Sequence, residues 1–300
     1  MKRLLLIALL ISSRGADADT DTSKAEISVT QLSGTVFLLQ GKLEGSTYGG
    51  NVVASVGPDG VLLVDSEYAS LSAKIRDELR KLAGGEPKIR FIIDTHWHRD
   101  HSEGTKDLGK DATIIAHKAV RALLSTKQTM MGHPVEPYPA TAWPTITFDD
   151  SLSIFFNGEE IRVVHLPNGH TGGDSVVLFT RSKVLHTGDI YTGPVFPFVD
   201  LEHGGNVEGL DKNVRTLLTM ISSDTKVVPG HRALTDVQAL KTYDRMLSDS
   251  LATVKRGIAE HRDLKAIQER GLASEWKTWE WELLKTPLWL DYVYRSVSKN

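Results

Sequence analysis

Three histidines and an aspartate lie within six consecutive positions of the stretch THWHRDHSEGT, at His96, His98, Asp100 and His101. The stretch directly follows KIRFIIDT, whose apolar run predicts a buried strand. His96 and His98 alternate along extended backbone, so both rings can point the same way where that strand ends. Asp100 and His101 follow after a turn, close enough to serve a second cation. Because imidazole and carboxylate are ligands of zinc and its first-row neighbours, the stretch predicts half of a metal site.

The chain has no cysteine, so the site has to be completed by nitrogen and oxygen donors from other segments. Three later strand-like runs, VVHLPNG, VLHTG and KVVPG, are followed by suitable side chains, namely His170, Asp189 and His231. Each of these residues stands directly after a glycine, which permits a tight turn and a close approach of the backbone. We therefore expect four segments to converge on one edge of the fold.

The order of predicted elements resembles two similar halves placed face to face. Val- and Leu-rich runs from Ile27 to Val64, with a turn at Pro58-Asp59-Gly60, predict paired strands, and ASLSAKIRDELRKLAG predicts a helix before KIRFIIDT. A helix-like HKAVRALLSTKQ and a Pro-rich loop from Gly132 to Pro144 come next. A second set of strands follows: TITF, LSIFF, EIRVVHL, SVVLFT and KVLHTG. The helix NVEGLDKNVRTLLTMIS and the strand TKVVPG complete the second half.

The last part of the chain has helical patterns of mixed charge, such as VKRGIAEHRDLKAIQER. We predict one domain over residues 19–240 and a helical extension over residues 241–300 packed on it. Four of the six tryptophans fall in this extension: Trp276, Trp279, Trp281 and Trp289. We expect them to dock the helices on the core. A lip over the active site and a dimer contact are the alternatives, and the sequence predicts no oligomeric state.

The amino terminus has the three-part pattern of an export signal. Lys2 and Arg3 are followed by an apolar run from Leu4 to Ile11 and then by Ala16-Asp17-Ala18, which fits a cleavage site. We predict a signal peptide over residues 1–18 and a periplasmic or secreted location; a membrane anchor or a buried first helix is the alternative. No later stretch has the roughly 20 apolar residues of a membrane span, so no stable membrane insertion is expected.

The charge of the chain argues against nucleic acid as a partner. A formal net charge of -3 and a pI near 6.4 leave no basic face that would attract a phosphate backbone. The expected partner is a small-molecule substrate.

The metal-site residues resemble the metallo-β-lactamase superfamily of zinc hydrolases, with its His-x-His-x-Asp-His motif and its downstream His, Asp and His. The resemblance covers roughly Ile27 to Leu240 and implies an α/β fold, a four-layer αββα sandwich, here with extra C-terminal helices. It implies two Zn²⁺ ions per chain at one edge of the two sheets. By that resemblance the ligands of the first zinc are His96, His98 and His170, those of the second are Asp100, His101 and His231, and Asp189 bridges the two.

Other residues near these motifs have less specific signals. Asp65, at the end of VLLVD, either orients a metal ligand or caps a turn. Thr95 and Thr187 are further candidates for orienting a metal ligand. Tyr191 follows Asp189 by two positions and is predicted to be catalytic, donating a hydrogen bond to a developing oxyanion; a packed strand tyrosine is the alternative. Three histidines in or beside apolar runs are expected to be core residues: His117, His165 and His186.

A dinuclear zinc site of this kind implies a hydrolytic reaction. Two cations about 3.5 to 4 Å apart can hold a bridging water and lower its pKa, so that hydroxide forms near neutral pH. Asp100 is also predicted to be catalytic, because one carboxylate oxygen can bind the second zinc while the other orients the hydroxide and accepts its proton. The expected reaction is cleavage of an ester, lactone, thioester or amide-type bond of a small substrate.

Two other functions remain open at this stage. True β-lactamases of the superfamily usually have cysteine or serine where Asp189 stands, so the bridging aspartate looks more like the glyoxalase II, lactonase and general hydrolase branches. A class B-like β-lactamase is the first alternative. An iron-loaded redox or metal-relay protein with the same ligands is the second. Phosphodiester cleavage is disfavoured by the charge of the chain and by the predicted export.

Overall fold

The computed structural model describes residues 21–298, which form two sheets packed face to face with helices on both outer sides. The predicted signal peptide, residues 1–18, lies outside the described residues. Between residues 21 and 298, no helix is long and apolar enough to cross a bilayer.

The first half of the chain supplies the first sheet and its helices. In chain order its elements are β1 (Glu26–Ser33), β2 (Val36–Leu43), β3 (Ser46–Gly57), β4 (Gly60–Val64), α1 (Ser72–Ala83), β5 (Ile89–Ile93), α2 (Arg99–Ser102), α3 (Thr105–Leu108), β6 (Thr113–His117), α4 (Lys118–Leu124), β7 (Gln128–Met130), β8 (His133–Val135) and β9 (Ile146–Phe148). The strand order of the sheet is β1-β2-β3-β4-β5-β6-β9, and β7 and β8 form a separate hairpin. Strands β1 to β4 are antiparallel neighbours, whereas β4, β5, β6 and β9 are parallel.

The second half supplies the second sheet and the C-terminal helices. In chain order its elements are β10 (Ser151–Phe156), β11 (Glu159–His165), β12 (Ser175–Phe179), β13 (Val184–His186), α5 (Val207–Met220), β14 (Lys226–Val228), β15 (Thr235–Asp236), α6 (Val237–Ala259), α7 (Leu264–Arg270) and α8 (Thr286–Ser298). The six strands are ordered β10-β11-β12-β13-β14-β15. Short 3-10 helices lie at Thr22–Lys24, Ala69–Leu71, Ala140–Ala142, Gly188–Ile190 and Ser274–Trp279.

Side-chain alternation along the strands builds the layers. Val53 of β3 faces the core between the two sheets, while its neighbours Val52 and Ala54 face α1. In the second sheet, Val177 of β12 faces the same inter-sheet core, and Val176 faces the core under α5 and α6. Both faces of these strands are buried where residues 52–54 and 176–179 lie, and those runs are apolar without a polar alternation. The prediction of an α/β, four-layer αββα sandwich is confirmed.

Buried apolar positions, a glycine and polar capping residues determine where the helices begin, pack and end. In α1 the buried side chains Ile75 and Leu79 lie one turn apart, and the helix ends at Gly84 in the left-handed conformation, with φ 69°. Glycine adopts that conformation without the steric cost that a Cβ would add. The helices beside the second sheet begin at polar caps: the Asn206 side chain accepts hydrogen bonds from the first turn of α5, and that of Asp236 accepts one from α6.

The segment TITF differs from its prediction. It was expected among the strands of the second half, but as β9 it lies at the edge of the first sheet, where Ile146 pairs with Ile115 of β6 in parallel. A parallel partner needs a crossover connection, which α4 and the chain as far as Thr145 provide.

The C-terminal helices pack on the outer side of the second sheet, next to α5. The side chains of Trp276 and Trp289 are fully buried there, and their indole N–H groups donate to Asp249 and Ser250 of α6 at 3.1 and 2.9 Å. This burial matches the docking role expected for the tryptophans. The helical extension begins with α6 at Val237, because Asp236 caps that helix, so the boundary predicted at residue 240 falls inside it.

Candidate metal centre

All seven predicted metal ligands lie together at one edge of the two sheets, on the loops and short helices that follow β5, β11, β13 and β14. Their potential ligand atoms form two groups, and within each group these atoms lie within 4.8 Å of one another. The first group consists of His96, His98, His170 and Asp189, and the second of Asp100, His101 and His231. The first group contains the three histidines expected to hold one zinc together with Asp189, which was expected to bridge, and the second group contains the three residues expected to hold the other zinc.

The first group is almost completely buried. His170 Nε2 lies 2.8 Å from His98 Nδ1 and 3.6 Å from Asp189 Oδ2. The His96 ring stands 4.8 Å from the rings of His98 and His170, and its Nε2 is buried without a hydrogen-bond partner. Three imidazoles and one carboxylate therefore surround a single position.

The second group meets the first at Asp189. His231 Nε2 lies 3.3 Å from Asp100 Oδ2 and 3.3 Å from His101 Nε2. Asp189 directs Oδ1 to His101 Nε2 at 3.3 Å, while its Oδ2 lies 3.4 Å from His231 Nε2 and also faces His170. Its carboxylate thus stands between the two groups, as a bridging ligand would.

Hydrogen bonds on the outer side of the rings fix which nitrogen faces the centre. The Nδ1 atoms of three histidines each lie within 2.8 Å of an oxygen that can only accept: His101 with Asp65 Oδ2, His170 with the Phe198 carbonyl and His231 with the Gly49 carbonyl. These Nδ1 atoms therefore carry the proton in the neutral ring. The Nε2 atom of each ring then presents a lone pair to the centre, as in metal-bound histidines.

His98 uses the opposite arrangement. Its Nε2 lies 3.1 Å from Asp200 Oδ2, so the ring donates outward from Nε2 and presents Nδ1 to the centre. Asp200 also accepts from His203 Nδ1 at 2.8 Å. Burial would raise the pKa of Asp200, but the hydrogen bonds from His98 and His203 hold it well below its usual range. Asp200 was not predicted, because the sequence shows only a lone aspartate in a loop.

The result is two pairs of ring nitrogens that face each other. His98 Nδ1 and His170 Nε2 are 2.8 Å apart, and burial lowers the pKa of His170 to about 4. The Nε2 atoms of His101 and His231 are 3.3 Å apart; burial would lower the pKa of both rings, but the nearby carboxylates of Asp189 and Asp100 raise it. A cation between the two nitrogens of each pair is therefore favoured. The residues present thus fit two cations bound by nitrogen and oxygen.

The second group opens toward solvent. The side chains of His231 and Asp100 are 26% and 22% exposed, whereas those of Asp189 and His101 are 8% and 0% exposed. A substrate therefore has to reach the centre from the side of His231 and Asp100.

Asp65 orients residues of the metal centre through hydrogen bonds, which is one of the two roles expected for it. Its Oδ2 accepts from His101 Nδ1 at 2.7 Å and from Thr95 Oγ1 at 2.9 Å, and its Oδ1 accepts from the Thr95 backbone N–H. Thr95 Oγ1 also lies 3.0 Å from His96 Nδ1. Thr187, in contrast, donates to backbone carbonyls.

The catalytic role predicted for Tyr191 is contradicted by its position. Its side chain is fully buried in the core between the second sheet and α6, where its ring lies 4.9 Å from that of Tyr243. Burial raises the pKa of Tyr191 to about 12. The alternative of a packed tyrosine is therefore correct, because the chain turns this side chain into the core after the 3-10 helix that carries Asp189.

The three histidines expected in the core also lie outside the two ligand groups. His117 and His165 stack with ring centroids 3.7 Å apart, and His186 donates from Nε2 to the Asn51 carbonyl at 2.9 Å.

Comparisons with known proteins agree with this geometry. The model of the metallo-beta-lactamase superfamily matches residues 46–231. A metallo-beta-lactamase type 2 from Elizabethkingia meningoseptica is 28% identical over 253 residues, which cover 83% of this chain and 95% of that protein. A linear primary-alkylsulfatase from a Pseudomonas species is 23% identical over 242 residues, 66% of this chain, and the chain spans only 44% of that protein.

Solved structures show the same fold. The metallo-beta-lactamase from Pontibacter korlensis superposes with a TM-score of 0.62 at 16% identity, covering 75% of this chain and all of that one. The structure of TMB-1 gives a TM-score of 0.58 at 21% identity, with 74% of this chain and 97% of that chain covered. At these identities the likeness establishes the architecture of the chain.

Proposed function

We propose that this chain, which belongs to the metallo-β-lactamase superfamily of hydrolases, is a dinuclear zinc hydrolase that cleaves an ester, lactone, thioester or amide-type bond of a small substrate. The observation that carries the proposal is the pair of facing ring nitrogens in each ligand group, with the Asp189 carboxylate between the groups. Nitrogen and carboxylate donors without sulfur suit zinc, although iron and manganese accept the same set.

Each ligand group would hold one of the two proposed zinc ions. His96, His98 and His170 would hold the first ion, Asp100, His101 and His231 the second, and Asp189 both. When bound, two zinc ions supply a water of lowered pKa and polarise the carbonyl of the substrate. The protein contributes rings that are already oriented by Asp65, Asp200 and two backbone carbonyls.

Asp100 is the proposed proton acceptor. Its Oδ2 lies 3.3 Å from His231 Nε2, and its side chain is the more exposed of the two aspartates in the centre. One carboxylate oxygen can serve as a ligand while the other orients the attacking water and accepts its proton. Asp189 is less suited to this role, because both of its oxygens face histidines.

An apolar wall stands beside the first ligand group. The Phe198 ring lies 6.0 Å from that of His98 and 5.9 Å from that of His170, and Tyr292 of α8 lies 5.9 Å from Phe198. Apolar side chains next to a few polar groups are typical of small-molecule sites. The presence of these aromatic side chains favours a small substrate that has an apolar part.

A β-lactam is the second candidate substrate. The relative from Elizabethkingia meningoseptica, of which this chain spans 95%, is named a metallo-beta-lactamase. Asp189 argues against a β-lactam as the main substrate, because the resemblance places an aspartate bridge in the general hydrolase branches. The ring amide of a β-lactam nevertheless belongs to the proposed class of bonds.

The test combines metal content with hydrolysis. The purified chain is stripped with EDTA, titrated with zinc and offered a lactone, a thioester, a β-lactam, an alkyl sulfate and a phosphodiester. We expect two zinc ions per chain and zinc-dependent cleavage of at least one of the first three compounds. A chain that takes up iron, consumes oxygen and cleaves none of the five compounds would contradict the proposal.

A further inference from the structure

His203 contacts the carboxylate of Asp200, which also accepts the hydrogen bond from His98 Nε2. His203 Nδ1 lies 2.8 Å from both carboxylate oxygens of Asp200, and the backbone N–H of His203 donates to Oδ1 at 3.2 Å. His98 Nε2 lies 3.1 Å from Oδ2. Both oxygens of Asp200 therefore have donors, and His203 supplies the donors to Oδ1.

The backbone of His203 is fixed beside the loop that carries His170. The His203 carbonyl accepts from the Gly172 N–H at 2.7 Å, and the Asp200 N–H donates to the His170 carbonyl at 2.8 Å. The next residue, Gly204, has a φ of 88°, and a Cβ there would come within 2.9 Å of Gly172 Cα. Because glycine tolerates both conditions, the turn can lie directly on this loop. His203 is thus held in a fixed place relative to the first ligand group.

The ring of His203 packs against Trp97. The two ring centroids are 4.6 Å apart, and Trp97 is the residue between His96 and His98 in the chain. The side chains of His203 and Asp200 are 9% and 3% exposed. A hydrogen bond to a carboxylate is stronger where water is largely excluded, so the contact between His203 and Asp200 constrains that carboxylate.

His203 can reach the metal centre through Asp200. His203 belongs to neither group of candidate ligands found among residues 21–298. Asp200, however, accepts from His98, the ring that presents Nδ1 to the centre, whereas three other histidines of the centre present Nε2. A carboxylate that could turn about its own side chain would hold the His98 ring less firmly, and metal binding would then have to order both groups.

We propose that His203 is a positioning residue for the first zinc: its Nδ1–H holds the Asp200 carboxylate in the orientation that keeps His98 Nδ1 turned toward the metal. The inference rests on the proposed zinc centre and adds a residue that lies outside the ligand motifs. Hydrogen-bond partners that orient metal-bound histidines contribute to metal affinity. Here the partner itself depends on a second histidine.

The test measures zinc affinity, so it does not depend on turnover. His203→Phe keeps a ring against Trp97 and removes the donor, and His203→Asn keeps a side-chain N–H near the position of Nδ1 and removes the ring. Competition with a chromogenic chelator measures the affinity of the first ligand group for zinc. We expect His203→Phe to weaken it about 10-fold, the range of one hydrogen bond to a charged group, and His203→Asn to retain most of it.

A double-mutant cycle separates positioning through Asp200 from a general structural role. In an Asp200→Ala background the carboxylate is gone, so His203→Phe should change the zinc affinity by less than about twofold, the usual error of additivity. Isotope-labelled histidine gives a second readout by NMR of the zinc-loaded protein. The proton on His98 Nε2 should exchange with water faster in His203→Phe than in the wild type, because its acceptor is less fixed.

Glu202→Gln is the matched control, because Glu202 lies in the same turn as His203 and is exposed. Its zinc affinity should equal that of the wild type. Should His203→Phe fail to fold, His203→Ala removes the same donor without adding volume.

Equal zinc affinity in His203→Phe and the wild type, or an equal loss with and without Asp200, would overturn the inference. A wild-type chain that binds no zinc would refute the metal centre and the inference together. A cycle that behaves as expected in a protein that hydrolyses nothing would uphold His203 and refute the hydrolase instead.

Discussion

His101 Nε2 and His231 Nε2 face each other across 3.3 Å, although the other nitrogen of each ring donates its proton away from the pair. Asp65 and the Gly49 carbonyl accept those hydrogen bonds, so both Nε2 atoms are turned toward the centre. The carboxylates of Asp189 and Asp100 raise the pKa of both rings in spite of their burial, so positive charge is favoured at this position. Such an arrangement is stable around a cation and unfavourable without one. The surrounding protein therefore prepares the site for metal through hydrogen bonds that lie outside the ligand groups.

The first prediction concerns Asp200, which accepts the hydrogen bond from His98 Nε2. Asp200→Asn removes the negative charge that favours the Nδ1-facing ring, so the affinity of the first group for zinc should fall about 10- to 100-fold. Competition with a chromogenic chelator measures that affinity.

Asp224→Asn is the control for Asp200, because Asp224 is exposed and pairs with Lys183 on the surface. Its zinc affinity should equal that of the wild type. An equally tight first zinc in Asp200→Asn would show that Asp200 does not position His98.

The second prediction concerns Asp189. Asp189→Ala removes the carboxylate that faces both groups, and the second metal should be held less tightly, because repulsion from the first ion persists. We expect the variant to fold, to keep about one zinc under limiting metal and to lose hydrolysis by roughly 10² or more.

Asp149→Ala is the control for Asp189, since Asp149 pairs with Lys118 on the surface. Metal counting and the hydrolysis assay are run on both variants in parallel. Two tightly bound zinc ions together with near-normal turnover in Asp189→Ala would refute the bridging role.

The third prediction links pH to stability. The pKa of His117 is lowered to about 4 by burial and by the neighbouring His165. An unfolded histidine has a pKa near 6.5, so below that pH the unfolded chain binds a proton that the folded chain does not. The stability that depends on neutral His117 is therefore present above pH 6.5 and is lost as the pH falls toward 4.

His117→Asn removes this titration and keeps an acceptor for the Ala119 N–H. Its loss of unfolding free energy between pH 7 and pH 5 should be about 1 kcal/mol smaller than that of the wild type. Urea unfolding of EDTA-treated protein at both pH values measures the difference, and the exposed His261→Asn is the control. Equal losses in His117→Asn and the wild type would rule out this contribution.

The fourth prediction follows from the amino-terminal pattern. We propose that the protein is exported and that its mature form begins near Asp19, after Ala16-Asp17-Ala18. Periplasm and cytosol of a Gram-negative host that makes the protein are separated, and amino-terminal sequencing of the protein from each fraction shows where the mature chain begins. An intact Met1 in the cytosolic fraction would refute export.

The sequence predicted that these side chains converge at one edge because the evidence for it is local. His96 and His98 alternate directly after a strand, and the later ligands each follow a glycine at a strand end. The two similar halves could likewise be predicted from the order of strand and helix patterns, whereas the four-layer sandwich was implied by the family resemblance. These patterns depend on neighbouring residues in the chain.

What the sequence did not predict depends on contacts between distant residues. Asp200 meets His98 across 102 positions, and no spacing rule connects them. Tyr191 follows Asp189 closely, yet its side chain turns into the core, and neighbouring residues do not reveal that direction. The edge position of β9 is likewise decided by which strand offers a free partner.

The most direct test of the account is a crystal structure of the zinc-loaded protein with anomalous diffraction measured at the zinc edge. We predict two peaks per chain about 3.5 to 4 Å apart. One should be bound by His96, His98 and His170, the other by Asp100, His101 and His231, and Asp189 should contact both. A single peak, or peaks that leave either group of residues without metal, would contradict a dinuclear centre.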